Sequence, residues 1–137
     1  MLSCYLLAKD ALGGNLQIRE DLLDIQKHYF DKNDMFWIAI GDDNRTIGMV
    51  GTNTVYETDM WLKRLFIKPA MKRKGIGTAL LAVAEKYAQT KGITKIHTRF
   101  NDNCVEALYF YPSQGFVETK RSDGLRHFVK IKGDIKL

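Results

Sequence analysis

The hydrophobic positions of this chain alternate between two periods. Ser3 to Ala8 reads as a strand. From Gln17 to Phe30, the residues Ile18, Leu22, Ile25 and Tyr29 recur at helical spacing and predict an amphipathic helix. Phe36 to Ile40 is a short apolar run that stops at the turn-forming Gly41-Asp42-Asp43-Asn44. Thr46 to Tyr56 then resumes with β-branched residues, so the pair predicts a hairpin. Trp61 to Ile67 predicts a further strand, closed by Pro69, which cannot donate to a ladder. The strongest pattern follows: Ile76, Ala79, Leu80, Val83, Ala84, Tyr87 and Ala88 form one continuous apolar stripe of a helix. Lys91 and Gly92 are its stop signal. Ile93 to Phe100 reads as a strand, and Cys104 to Gln114 as a short helix ending at Gly115. Phe116 to Lys120 and His127 to Ile131 alternate around Ser122-Asp123-Gly124, a hairpin signal.

These elements predict an α+β domain with an antiparallel N-terminal sheet and a strand–helix–strand crossover. The 137 residues leave no room for a second folded unit of ordinary size, so a single domain over 1–137 is expected. Apolar runs are broken by charge within a few residues, which predicts no membrane span. The N-terminus lacks the basic start and long apolar stretch of a secretory signal. Cys4 and Cys104 are too few for a disulfide framework and lack metal-type spacing. A cytoplasmic, reducing setting without a metal is expected.

Charge is divided unevenly. Residues 1–60 hold five Lys/Arg and ten Asp/Glu, whereas residues 61–137 hold sixteen and six. The basic half has no Lys/Arg run interleaved with aromatics and no recognised nucleic-acid motif, so no nucleic-acid partner is expected.

Residues 65–80 concentrate the candidate chemistry. A strand runs into Lys72, Arg73 and Lys74, then Gly75 and Gly77, then the long helix. The first N–H groups of a helix have no internal partner and carry partial positive charge. The glycines remove side chains that would hold a phosphate away from them. Three cations at this end oppose the helix dipole unless an anion sits there, and Thr78 adds a hydroxyl. A pyrophosphate site is the economical explanation. The Gly-Lys-Ser/Thr of a P-loop is absent. A dinucleotide fingerprint wants a small residue where Leu80 stands and an acid about 20 residues on, near His97 and Arg99.

The string Lys72-Arg73-Lys74-Gly75-Ile76-Gly77 resembles the pyrophosphate motif of GNAT acyltransferases, Gln/Arg-x-x-Gly-x-Gly/Ala. Leu65-Phe66-Ile67-Lys68-Pro69 looks like the strand that precedes it in that family. Downstream, Ala107-Leu108-Tyr109-Phe110-Tyr111, followed by Gly115-Phe116, is similar to the family's closing motif. The resemblance covers residues 36–120.

What the resemblance implies is a mixed, mostly antiparallel sheet flanked by helices in three layers, splayed between its fourth and fifth strands. It implies acetyl-CoA as co-substrate and direct transfer of the acetyl group to a primary amine. Pantetheine would bond backbone groups of Leu65, Phe66 and Ile67. The diphosphate would sit on Lys72, Arg73, Lys74, Gly75, Ile76, Gly77 and Thr78. Tyr111 corresponds by position to the general acid that protonates the departing thiolate. Two departures stand out. Lys72 replaces the family's Gln or Arg and loses the bidentate fork. Cys104 replaces an Asn three residues before Ala107; Asn101 or Asn103 would substitute, and Asn103 and Ala107 complete the cofactor-binding set.

Several assignments stay open. Tyr109, Phe110, Tyr111 and Phe116 form an aromatic cluster, so Tyr111 also suits a core. A covalent role for Cys104 is disfavoured, since free cysteines are usually buried and inert. His97, on the strand lining the implied cleft, is a candidate base. The strand Trp61 to Leu65 carries no carboxylate, and Glu57 and Asp59 lie just upstream, so the base is unassigned. Glu20, Asp21, Asp24, Asp31, Asp34, Glu57 and Asp59 fall in the regions that shape the family's acceptor side, which favours a cationic amine, on a small molecule or a protein; solvated faces would look the same. Aromatics of the early helix and the C-terminal hairpin leave both a homodimer and a substrate pocket open. The alternative to catalysis is a non-catalytic acyl-CoA-binding or regulatory module on the same fold.

Overall fold

A computed structural model of the chain describes residues 20–131. The strand expected at Ser3–Ala8 and the first turn of the helix expected from Gln17 lie outside them. The described residues fall into two compact units: 20–53 with 63–84, and 54–62 with 85–131. No described helix is long and apolar enough to cross a membrane.

The first unit opens with two single-turn helices, α1 (Glu20–Leu23) and α2 (Ile25–His28), and a 3-10 turn at Phe30–Lys32. The one helix expected here is divided at Asp24. That side chain accepts a hydrogen bond from the Lys27 N–H at 3.1 Å and caps α2. An aspartate that bonds nearby backbone starts a helix more readily than it continues one. Ile25 and Tyr29, both from the expected stripe, are buried. The predicted hairpin is present as β1 (Phe36–Ile40) and β2 (Thr46–Val55), antiparallel from Phe36↔Gly51 to Ile40↔Thr46. β3 (Asp59–Ile67) starts two residues before the predicted strand.

α3 spans Ile76–Thr90. Its buried face is turned slightly from the predicted stripe: Leu80, Leu81, Ala84, Glu85 and Ala88 are buried, while Ala79 and Val83 are exposed. The displacement follows from Glu85, a charged residue that pattern reading assigns to solvent. Lys130 Nζ lies 2.6 Å from Glu85 Oε1, and both side chains are almost fully enclosed, at 3% and 6% exposure. A buried charge is tolerated only with such a partner. α3 ends where the sequence predicts, with Ile93 N–H on Ala88 O (2.9 Å) and Gly92 N–H on Gln89 O (3.2 Å), the bond pair of a Schellman stop.

In the second unit, β4 (Lys95–Asn101) runs parallel to the first half of β3 and antiparallel to β6 (Leu125–Ile131), and α4 covers Val105–Ser113. β5 (Val117–Ser122) completes a hairpin with β6. Asp123 and Gly124 both have positive φ, 53° and 74°, as a two-residue I′ turn requires. The strands hydrogen-bond in the order β1-β2-β3-β4-β6-β5, a mostly antiparallel α+β sheet as expected. The β3–β4 ladder contains only Asp59↔Lys95, Met60↔Ile96 and Trp61↔His97. It stops there, although β3 continues to Ile67 and β4 to Asn101.

Candidate functional site

The phosphate-type loop lies in the first unit. After a 3-10 turn at Pro69–Met71, Lys72 is extended, and Arg73 (φ 65°) and Gly75 (φ 79°) adopt left-handed backbone. Turns of this kind point successive N–H groups toward one side. Gly75 stands where α3 begins, and the Ala79 N–H bonds Gly75 O at 3.0 Å. By helix geometry the N–H groups of Ile76 and Gly77 face out of the N-terminus. No acid occupies the first turn. A Cβ built on Gly75 would meet nothing within 4 Å. Glycine is needed there for its φ, and the space beyond it is open. The loop therefore fits a diphosphate.

The side chain of Ile76 does a different job. A Cβ at Gly48 of β2 would lie 3.0 Å from Ile67 Cδ1, 3.0 Å from Ile76 Cγ2 and 3.1 Å from Leu80 Cδ1. The bare backbone of Gly48 thus lets the first turn of α3 close against the sheet, and Ile76 contributes to this loop through its N–H alone. Just before Leu65, Phe66 and Ile67, Arg64 takes a left-handed φ of 57° inside β3. Such a conformation costs about 1–3 kcal/mol and needs support. Asp21 supplies it, accepting from Arg64 Nε at 2.9 Å, from Arg64 Nη2 at 3.0 Å and from the Tyr29 hydroxyl at 2.6 Å. Burial pushes the Asp21 carboxyl up, but the Arg64 and Tyr29 hydrogen bonds outweigh it and hold the group below its ordinary range. Burial and the same bond to Asp21 push the Tyr29 phenol well up.

Tyr111 lies in the second unit, in the last turns of α4. Its ring stacks on Phe100 at 5.5 Å and meets Phe110 and Phe116 edge-on at 5.2 and 5.3 Å. Of the aromatic cluster expected from sequence, Phe110, Tyr111 and Phe116 come together with Phe100, whereas Tyr109 is 75% exposed. Burial pushes its phenol up to about 12, with the Thr98 hydroxyl bond opposing. The group is protonated at neutral pH and has a proton to give.

A profile of the Acetyltransferase (GNAT) family matches residues 3–116. The chain belongs to the GNAT acetyltransferase family. It is 29% identical over 108 residues to N-acetyltransferase 8 of Homo sapiens, covering 74% of this chain and 47% of that protein. The chain spans about half the length of the curated relatives it matches. Its fold is that of a GNAT-family acetyltransferase from Staphylococcus aureus Mu50, with TM-score 0.85, 22% identity and 95% and 91% of the two chains covered. It is also similar to the PaiA N-acetyltransferase of Thermoplasma acidophilum, solved with coenzyme A, at TM-score 0.82, 22% identity and the same coverage. Transfer from acetyl-CoA is general in this family.

The two GNAT departures have local consequences. Cys104 occupies the N-cap of α4 and makes no side-chain capping bond. Its sulfur contacts Asn103 Oδ1 at 3.9 Å, and Asn103 is exposed. Ala107 is half-buried within α4. Lys72 is half-buried, while Arg73 and Lys74 are exposed.

Sequence reading missed how far one face of the second unit is organised. His97 Nε2 lies 2.7 Å from Asp59 Oδ2, and His97 Nδ1 lies 2.9 Å from His127 Nε2. Trp61 stacks on both imidazoles, at 4.9 and 5.0 Å. His97 and Asp59 were noted singly as candidate bases; His127 was not. Only the strand register unites them: β3 sets Trp61 against His97, and β4–β6 sets Arg99 against His127.

Proposed function

We propose that the protein is an acetyl-CoA-dependent N-acetyltransferase that moves the acetyl group directly to a primary amine. The observation that carries this reading is the glycine-started N-terminus of α3, with left-handed residues and three cations leading into it, in a chain of this family. In the proposed reaction the backbone of Leu65, Phe66 and Ile67 holds pantetheine, and Ala107 and Asn103 also bind the cofactor. The N–H groups of residues 75–78 and the Lys72, Arg73 and Lys74 charges hold the diphosphate. The amine nitrogen attacks the thioester carbonyl and backbone N–H groups stabilise the oxyanion. Collapse breaks the C–S bond and expels the thiolate, which takes the Tyr111 proton; the phenolate recovers one from the new amide nitrogen. A phenol near 12 gives up its proton slowly to a solvated thiolate, because an ordinary thiol titrates near 8.5. A thiolate formed away from water is more basic, so the transfer requires an enclosed site.

The acceptor is a primary amine. Most of the acids that favoured a cationic one already bond other groups of this chain. Asp21 bonds Arg64 and Tyr29, Asp24 caps α2, Asp31 accepts from Gln26, Asp34 from Thr52, and Asp59 meets His97. Among the described side chains, Glu57, exposed on the turn between β2 and β3, is the remaining support. The test is release of free CoA thiol from acetyl-CoA across a panel of primary amines. Amine-dependent release is expected. Binding of acetyl-CoA with no release under any amine would instead support the non-catalytic acyl-CoA-binding module.

A further inference from the structure

One face of the second unit carries a pocket of about 210 Å³ lined by Trp61, Arg99, Lys120, Ser122, Leu125 and His127. Two of its walls are cationic, one is an indole, and among the described residues no carboxylate lines it. The Arg99 guanidinium lies 5.7 Å from the Trp61 ring centroid. Behind the pocket, His127, His97 and Asp59 are strung in a line; among the described residues no group is placed to converge on a metal ion. Of the three, only His127 lines the pocket.

The hydrogen bonds have a direction. Burial pushes the Asp59 carboxyl up, but the His97 and Thr58 hydrogen bonds and the Lys95 charge, joined by that of His97 once it is protonated, hold it below its ordinary range, so it is ionised at neutral pH. An ionised Asp59 accepts from His97 Nε2–H. His97 Nδ1 then accepts from His127 Nε2–H, which leaves the Nδ1 lone pair of His127 as the basic end of the chain. Burial first, then the charge that His97 gains on protonation and the charges of Arg99 and Lys120, hold the His127 imidazole below its ordinary value. At neutral pH this ring is unprotonated and ready to accept.

We propose that this pocket is the acceptor subsite, that it takes an amine also carrying a carboxylate, and that Asp59–His97–His127 is the base that deprotonates it. The proposal rests on the transfer reaction above. Arg99 and Lys120 hold the carboxylate, and Trp61 forms the apolar wall. The substrate ammonium gives a proton to His127 Nδ1. The Nε2 proton of His127 passes to His97 Nδ1. His97 becomes an imidazolium paired with Asp59, and the free amine is left to attack acetyl-CoA. The proton leaves to solvent after turnover. His127 is the catalytic residue, and Asp59 and His97 position and polarise it.

The first arm of the test needs no acetyl-CoA. Histidine-ring NMR of the whole chain is followed during addition of glycine, β-alanine or 4-aminobutyrate, each beside an amine of equal length without the carboxylate. Saturable movement of the His127 resonances with an amino acid, and not with its matched amine, is expected. Silence toward every amino acid, or equal movement with the amines, overturns the proposal. Arg99→Ala with Lys120→Ala, both at exposed positions, should weaken that binding about tenfold or more.

The second arm is the pH profile of kcat/KM. Asp59→Asn should lower the plateau about tenfold or more and move the ascending limb to lower pH, because the carboxylate stabilises the protonated relay. An unmoved limb overturns the relay. The two readings separate cleanly. Amino-acid binding without thiol release fails the transfer reaction, and thiol release with a silent pocket fails this proposal alone.

Discussion

The glycine loop before α3 and the histidine face of the second unit are built by opposite means. The loop works through backbone: two left-handed residues, a helix start with no acid in its first turn, and cations close together in sequence. The histidine face works through side chains drawn from β3, β4, β5 and β6, held by stacking and by hydrogen bonds under 3 Å. A backbone site tolerates changes of side chain but not of backbone shape. A side-chain site is the reverse: one atom replaced at Asp59 or His97 changes its protons while the strands stay as they are.

That contrast can be probed at several points. The largest expected effect is in the second unit, where Glu85→Leu leaves Lys130 charged in the core and should cost about 3–5 kcal/mol by urea unfolding. Adding Lys130→Met should recover most of it. A mild single variant would show that the pair is reached by water. Next, Tyr111→Phe keeps the ring against Phe100, Phe110 and Phe116 while removing the proton. It should lower kcat about a hundredfold with little change in acetyl-CoA affinity; an unchanged kcat removes Tyr111 from the reaction.

In the first unit, Gly48→Val should overpack Ile67, Ile76 and Leu80, costing about 1–3 kcal/mol, and should weaken acetyl-CoA binding by displacing the helix start. A stability loss with unaltered binding would show that the loop is independent of that contact. Asp21→Asn has the smallest expected effect. Its depressed pKa adds stability above the ordinary carboxylate range, near pH 4, and this is lost as pH falls through the lower folded value. The variant should lose about 1 kcal/mol at neutral pH and show a flatter acid limb in unfolding measured against pH.

How much of each region was legible in the sequence follows from the same difference. The loop was readable because its residues are contiguous and glycine reports backbone shape directly. The C-terminal hairpin was readable for that reason too, through Asp123-Gly124. The division of the first helix at Asp24 was missed because apolar spacing outweighs a single capping side chain in a pattern reading. Glu85 was missed because its partner stands 45 residues away on β6. Asp59, His97 and His127 lie on three strands, and two were noticed only singly. Alternation along β4 and β6 shows which side chains share a face, but the register that aligns them is a tertiary fact. Departures from local rules tend to mark such sites.

The central claim, that the loop before α3 holds the diphosphate of acetyl-CoA, is tested most directly by thermal unfolding with acetyl-CoA, CoA, NADPH, ATP or buffer, in the wild type and in Gly77→Glu. At a hundred times its Kd, a ligand adds about 2.7 kcal/mol of stability. The account predicts a raised Tm with acetyl-CoA and CoA only, and no shift in folded Gly77→Glu, whose added carboxylate fills the cradle. Stabilisation of Gly77→Glu equal to that of the wild type, or no shift of the wild type with either CoA species, would contradict it.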